Sequence, residues 1–256
     1  MAALHFHQFP YGSDNYGVLV HDPETGQTAA IDAGDANAYQ TALIAAGWTL
    51  SDIWVTHHHG DHVAGLGALK SATGARATGP SVVSTPIAGL DAQVGDGDHF
   101  EFAGKRVDVI HTPGHTTDMM NFYIADDTVV FTGDTLFALG CGRLFEGTPT
   151  MMWESLQKLM ALPPATTVYC SHEYTATNAK FALTIDPDNG ALVQRAQEIA
   201  DLRGQGLPTV PTTIAVELAT NPFLRAGDAG VRANLGMQNA SDSEVFTEVR
   251  KRKDNA

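Results

Sequence analysis

Cysteine is nearly absent from this 256-residue chain. Cys141 and Cys170 are its only two, they form no CxxC pair, and a disulfide framework is thereby excluded. No window reaches the roughly 18 continuous apolar residues that a membrane-spanning helix requires, so no association with a membrane is expected. The opening Met-Ala-Ala-Leu-His-Phe-His lacks a basic segment followed by an apolar one, so no secretory signal is expected. Positive charge is scarce: 15 Lys and Arg stand against 29 Asp and Glu, giving a net charge of −14. Such a balance argues against nucleic acid as a partner, because its binders are basic. A reducing, cytoplasmic setting fits these absences.

What is present supports a packed core: 43% of the residues are apolar. Apolar and β-branched runs predict strands over residues 4–9, 17–21, 27–32, 52–56, 76–83 and 99–110. A hairpin pairs 121–124 with 128–131, and a further strand covers 167–170. Helices are predicted over 36–46, stopped by Gly47, and from 63 to 70. Another covers 151–162, with Thr150 as its cap and Glu154 in its first turn. Beyond about residue 173 the pattern is helical only, over 173–183, 191–203, 212–219 and 241–253. The expected architecture is α/β, with a first domain over 1–172 and a helical C-terminal domain over 173–256.

The most informative stretch is Thr56-His-His-His-Gly-Asp-His62. Within it His57, His59, Asp61 and His62 can each give a lone pair to a metal, at the point where a buried strand ends and a helix begins. Such a loop can curl around an ion, whereas a continuous strand sends neighbouring side chains to opposite faces. His115, Asp134 and His172 each follow a short strand and a sharp turn, and residues just past strand ends converge. Seven ligands exceed what one four-coordinate ion uses, so two divalent ions sharing a carboxylate are expected. Nitrogen and oxygen ligands suit zinc, iron, manganese or cobalt and do not select among them. Of the 11 histidines, His5, His7, His21, His99 and His111 read as surface or hydrogen-bonded residues, and His58 as one turned away from the metals.

The heptad resembles the HxHxDH signature of the metallo-β-lactamase superfamily. Thr132-Gly-Asp-Thr-Leu-Phe137, Gly140-Cys-Gly-Arg-Leu-Phe-Glu-Gly147, His172-Glu-Tyr-Thr175 and Asn221-Pro-Phe-Leu-Arg225 are similar to motifs of the glyoxalase II, or hydroxyacylglutathione hydrolase, family. The resemblance implies an αββα sandwich with a dinuclear metal site, His57, His59 and His115 binding one ion and Asp61, His62 and His172 the other. Asp134 bridges the two, and Asp32 plays a supporting role. The implied reaction is hydrolysis of S-D-lactoylglutathione to D-lactate and glutathione by a metal-activated hydroxide, with Asp61 and Asp134 as the catalytic carboxylates. A thioester suits it, since a thiolate leaves with little protonation.

Arg143, Tyr174, Arg250 and Lys253 match the family's glutathione-contacting positions, which gives the basic run 250–253 a purpose. Taken alone, that run reads as a solvated, frayed terminus. Two departures stand out. Arg143 and Phe145 replace the Lys and Tyr of some relatives, and Thr116-Thr-Asp-Met119 replaces the usual Thr-x-Gly-His. The competing readings are a one-iron persulfide dioxygenase of the same superfamily and a non-enzymatic metal-binding module. The partner expected is a small glutathione thioester, and the chain is expected to be a monomer.

Overall fold

The computed structural model describes residues 2–82 and 85–256. The chain forms two compact units, Met1–His111 with Thr117–Gly133, and Thr112–Thr116 with Asp134–Ala256.

The first unit is built on two sheets. One contains β1 (His5–Tyr11), β2 (Asn15–His21), β3 (Thr28–Ile31), β4 (Asp52–Trp54), β5 (Arg76–Pro80) and β6 (Ala92–Val94), in that order. β1, β2 and β3 are antiparallel neighbours, and β3 through β6 are parallel. The parallel strands explain why β3 (Thr-Ala-Ala-Ile) is buried at every residue, since a strand covered on both faces has no polar side. The second sheet in this unit contains β7 (His99–Phe102), β8 (Lys105–His111), β9 (Met120–Ile124) and β10 (Val129–Gly133), each antiparallel to the next. Trp54 of β4 fills the space between the layers, its ring centroid 5.2 Å from those of Phe100 and Phe102 and 5.8 Å from that of Phe122. On the opposite face α1 (Ala36–Ala46) and α3 (Leu66–Thr73) lay Tyr39, Leu43, Leu66 and Leu69 on Phe9, Leu19, Ile53 and Val55. Between α1 and α3 comes the single turn α2 (Gly60–Val63).

Sequence and structure agree closely at α1. Asp35 accepts from the amides of Asn37 and Ala38, and Gly47 ends the helix at φ 72°. The expected strand over 99–110 is instead two strands, folded back at Ala103 and Gly104, which both have positive φ (52° and 77°). A turn with both central residues left-handed favours Asn-Gly, so Ala-Gly gave little signal. The strand expected over 76–83 ends at Pro80, and Val83 lies outside the described residues.

The second unit holds the hairpin β11 (Leu136–Phe137) and β12 (Gly140–Cys141), then α4 (Pro149–Met160), β13 (Thr167–Cys170), α5 (Thr175–Ile185) and α6 (Gly190–Gly204). β14 (Thr212–Thr213) pairs antiparallel with β13, and α7 (Ile214–Thr220), α8 (Ala229–Leu235) and α9 (Asp242–Asp254) follow. The cap of α4 is Thr148, which accepts from the amide of Met151, and not Thr150. Pro149 sets the start, since its fixed φ and missing N–H suit the first helical position. The earlier start moves Glu154 beyond the first turn.

The basic run is not a frayed tail. Ser241 and Glu244 close a capping box at the head of α9. Val245, Phe246, Val249 and Arg250 are buried along it, with Phe246 packed on Trp153 and Phe223. Lys251 and Arg252 face outward. Among the described residues, no helix is long and apolar enough to cross a membrane.

Candidate metal centre and substrate cleft

In the first unit the ligand loop hangs on Asp32. That residue sits at φ 60°, a conformation Asp tolerates better than most. Its carboxylate accepts from the Thr56 amide at 2.7 Å and from the Thr56 hydroxyl at 2.9–3.0 Å. It also accepts from His62 Nδ1 at 2.8 Å. These bonds fix two tautomers. A carboxylate only accepts, so His62 carries its proton on Nδ1 and its lone pair on Nε2. The Thr56 hydroxyl spends its one proton on Asp32, so it accepts from His57 Nδ1 at 3.0 Å, and His57 likewise keeps its lone pair on Nε2. The His57 ring centroid lies 4.7 Å from that of His59 and 4.1 Å from that of His62. Asp61 is steadied by Asn15 Nδ2, which donates to Oδ2 at 3.0 Å, and by the Tyr11 hydroxyl, which donates to its carbonyl at 2.9 Å.

Gly34 is the tightest approach in this loop, since a β-carbon there would stand 1.7 Å from the Asp61 carbonyl oxygen. Gly34→Ala is therefore expected to displace the ligand loop, destabilising the chelated protein by at least about 1–3 kcal/mol, the range for overpacking. Urea unfolding checks this, and an alanine variant as stable as its parent would contradict it.

In the second unit His115 donates from Nδ1 to the Arg143 carbonyl at 2.8 Å, so its lone pair is also on Nε2. Asp134 Oδ2 lies 3.3 Å from His115 Nε2 and 3.4 Å from His172 Nε2. In the first unit Asp61 Oδ2 lies 3.4 Å from His62 Nε2. Those separations match the edge of a coordination tetrahedron, about 3.3 Å for bonds of about 2.0–2.1 Å. Imidazole and carboxylate donors at these separations suit a divalent metal ion. Fixing of the far nitrogen by a carboxylate or carbonyl is the usual support for a metal-binding imidazole.

The second unit also contains a cleft of about 260 Å³ lined by Phe137, Cys141, Arg143, Tyr174, Arg250 and Lys253, with Thr177 and Asn178. Here stand all four residues expected to hold glutathione. Arg250 is buried, donating to the Cys141 carbonyl at 3.1 Å and to Asp254, with its guanidinium 5.1 Å from the Phe223 ring centre. Arg143 is largely exposed, its Nε 3.7 Å from Asp254. Lys253 lies over the Phe181 ring, and burial, followed by repulsion from Arg250, holds its pKa below the usual lysine value. The Tyr174 ring stacks on His172 at 4.8 Å and 3°, while Phe137 meets both rings edge-on. Burial pushes the Cys141 thiol up to about 11 and the Cys170 thiol to about 12, which leaves neither as a ready thiolate nucleophile.

Several participants escaped the sequence reading. His58 Nδ1 lies 3.0 Å from the carboxylate of buried Asp118. That hydrogen bond gives Asp118 of the Thr116-Met119 departure a structural role. Thr56, Asn15 and Tyr11 had no motif to announce them. His111 bonds the Thr117 carbonyl, His21 stacks on Trp48, and His99 is exposed.

Comparison with known proteins agrees with these features. The sequence model of the metallo-β-lactamase superfamily matches residues 13–172, and that of the hydroxyacylglutathione hydrolase C-terminus matches 173–256. The hydroxyacylglutathione hydrolase of Brucella anthropi is 59% identical over 98% of this chain and 96% of its own length. That of Brucella ovis is 58% identical, covering 98% of each. Among solved structures, ETHE1 from Myxococcus xanthus aligns with a TM-score of 0.68 at 26% identity, covering 96% of this chain and 90% of its own. The BLEG-1 B3 metallo-β-lactamase aligns at 0.65 and 23% identity over 86% of this chain and 99% of its own, a likeness of fold alone. The chain thus has the metallo-β-lactamase fold with a helical C-terminal region, and it belongs to the hydroxyacylglutathione hydrolases of the metallo-β-lactamase superfamily.

Proposed function

We propose that the chain hydrolyses S-D-lactoylglutathione to D-lactate and glutathione. The observation that carries this reading is the junction of cleft and metal ligand, where Tyr174 and Phe137 line the cationic cleft and also lie against the His172 ring. A substrate anchored by its carboxylates in that cleft has its thioester led towards the ligand residues. We assign His57, His59 and His115 to one divalent ion, Asp61, His62 and His172 to a second, and Asp134 to both. Such a pair supplies an acidified water and a Lewis acid for the carbonyl oxygen. Zinc suits the ligand set, with iron or manganese also compatible.

The chain's own residues do the rest. Asp32, Thr56 and the Arg143 carbonyl keep the lone pairs of His62, His57 and His115 on Nε2. Asp61, held by Asn15, accepts a hydrogen bond from the attacking water and orients it. Arg143 offers its fork to a glutathione carboxylate, while Lys253 and Arg250 give the cleft its positive potential. Phe145 offers no hydroxyl, and its exposed ring stands 5.3 Å from that of His115. The departing thiolate has a free pKa of about 8.5 and needs little protonation. We further infer a monomeric, cytoplasmic enzyme divided functionally at residues 172 and 173.

The test is loss of thioester absorbance when purified protein meets S-D-lactoylglutathione, with and without a chelator, together with elemental analysis. Chelator-sensitive hydrolysis with two ions per chain is expected. No hydrolysis, or oxygen uptake with a single iron, would overturn the reading.

A further inference from the structure

The β11–β12 turn is held by a buried polar network. Leu139 adopts φ 57°, a left-handed conformation costing a residue with a β-carbon about 1–2 kcal/mol. Its side chain packs with Ala179, Ala182, Leu192 and Ile199. Side chains from the helical region grip four backbone atoms of the turn. Asn221 Nδ2 donates to the carbonyls of Phe137 (3.2 Å) and Gly140 (3.0 Å). Asn178 Nδ2 donates to the carbonyl of Ala138 (3.1 Å), and the Leu139 amide donates to Glu217 Oε2 (2.9 Å). Glu217 is fully buried and accepts from Thr212 Oγ1 at 2.7 Å; its Oε2 also lies 3.0 Å from Asn221 Nδ2, whose two protons are shared among this oxygen and the two carbonyls. Arg195 balances its charge.

A buried ion pair seldom adds stability over well-packed apolar residues. What a satisfied network adds is direction, because each bond has one geometry. The hairpin it fixes carries the Phe137 ring and the Cys141 carbonyl, the latter holding Arg250 Nη1 at 3.1 Å. We propose that Glu217 and Asn221 are positioning residues for the substrate, setting where Phe137 and Arg250 stand in the cleft by fixing the 137–140 turn. The proposal rests on the function argued above and adds residues that touch neither metal ligand nor substrate.

The test compares the metal-loaded parent with Asn221→Ala. Glutathione affinity is measured by calorimetry, and KM and kcat with S-D-lactoylglutathione. Asn221→Ala is expected to weaken glutathione binding and raise KM by about tenfold, with kcat within about twofold and metal content unchanged. Should that variant fail to fold, Glu217→Gln, which keeps shape and loses charge, is read the same way and is expected to shift in the same direction. Unchanged glutathione affinity in a folded variant overturns the proposal, as does a fall in kcat as large as the rise in KM. A parent that hydrolyses no thioester but binds glutathione, with the variant binding tenfold more weakly, overturns only the proposed reaction and leaves the positioning role standing.

Discussion

Asp134→Ala is expected to purify with at most half the metal of its parent and to lose thioester hydrolysis by well over 100-fold. Asp134 Oδ2 is near-equidistant from His115 Nε2 and His172 Nε2, the placement that its proposed role as a shared ligand needs. Loss of a partner that merely orients a ligand costs about 10–100-fold in metal affinity or activity, and if Asp134 is the shared ligand proposed above its loss should exceed that range. Elemental analysis beside a turnover assay measures both effects. A variant that keeps its full metal complement and turnover would remove Asp134 from the centre altogether.

Asp32→Ala is expected to be the most destabilising change to a residue outside the seven proposed ligands. It takes the acceptor from the buried Thr56 amide and from His62 Nδ1. Each buried donor left without a partner costs about 1–3 kcal/mol, so the chelated protein should lose about 2–6 kcal/mol. The loop it anchors also presents His57 and His62, and metal affinity should fall by about 10–100-fold. Urea unfolding of the chelated protein and a metal titration separate the two losses. Asp32→Asn retains one carbonyl acceptor and should fall between alanine and parent. Equal stability in all three would show that the loop holds itself without Asp32.

The residues that could be read from sequence were those whose chemistry is local. Four ligand-type residues in six positions after a buried strand announce themselves without any knowledge of the fold. The end of α1 at Gly47 is equally local and was expected, and the helix expected over 241–253 lies within a residue of α9, whose cap Ser241 was read as its first residue. Asn15 and Asp61 lie 46 positions apart, and Glu217 meets the Leu139 amide across 78. Partners at that separation leave no periodic trace, because only the folded topology brings them together. The 103–104 reversal and the three-residue β6 went unseen for a different reason. Ala-Gly carries little turn preference, and Ala-Gln-Val is too short to show alternation, so neighbouring strands impose their conformation. The basic run 250–253 misled when read alone, since the neighbours that bury Arg250 lie elsewhere in the chain.

The near-parallel stack of Tyr174 on His172 makes the cleft and the centre share a wall. Neither ring can swing without disturbing the other. If an ion held by His172 stiffens its ring, it also stiffens the wall on which the proposed glutathione thioester would rest, and thermodynamic reciprocity then runs backwards as well. Whatever factor metal occupancy adds to the grip on glutathione, glutathione returns to the retention of metal.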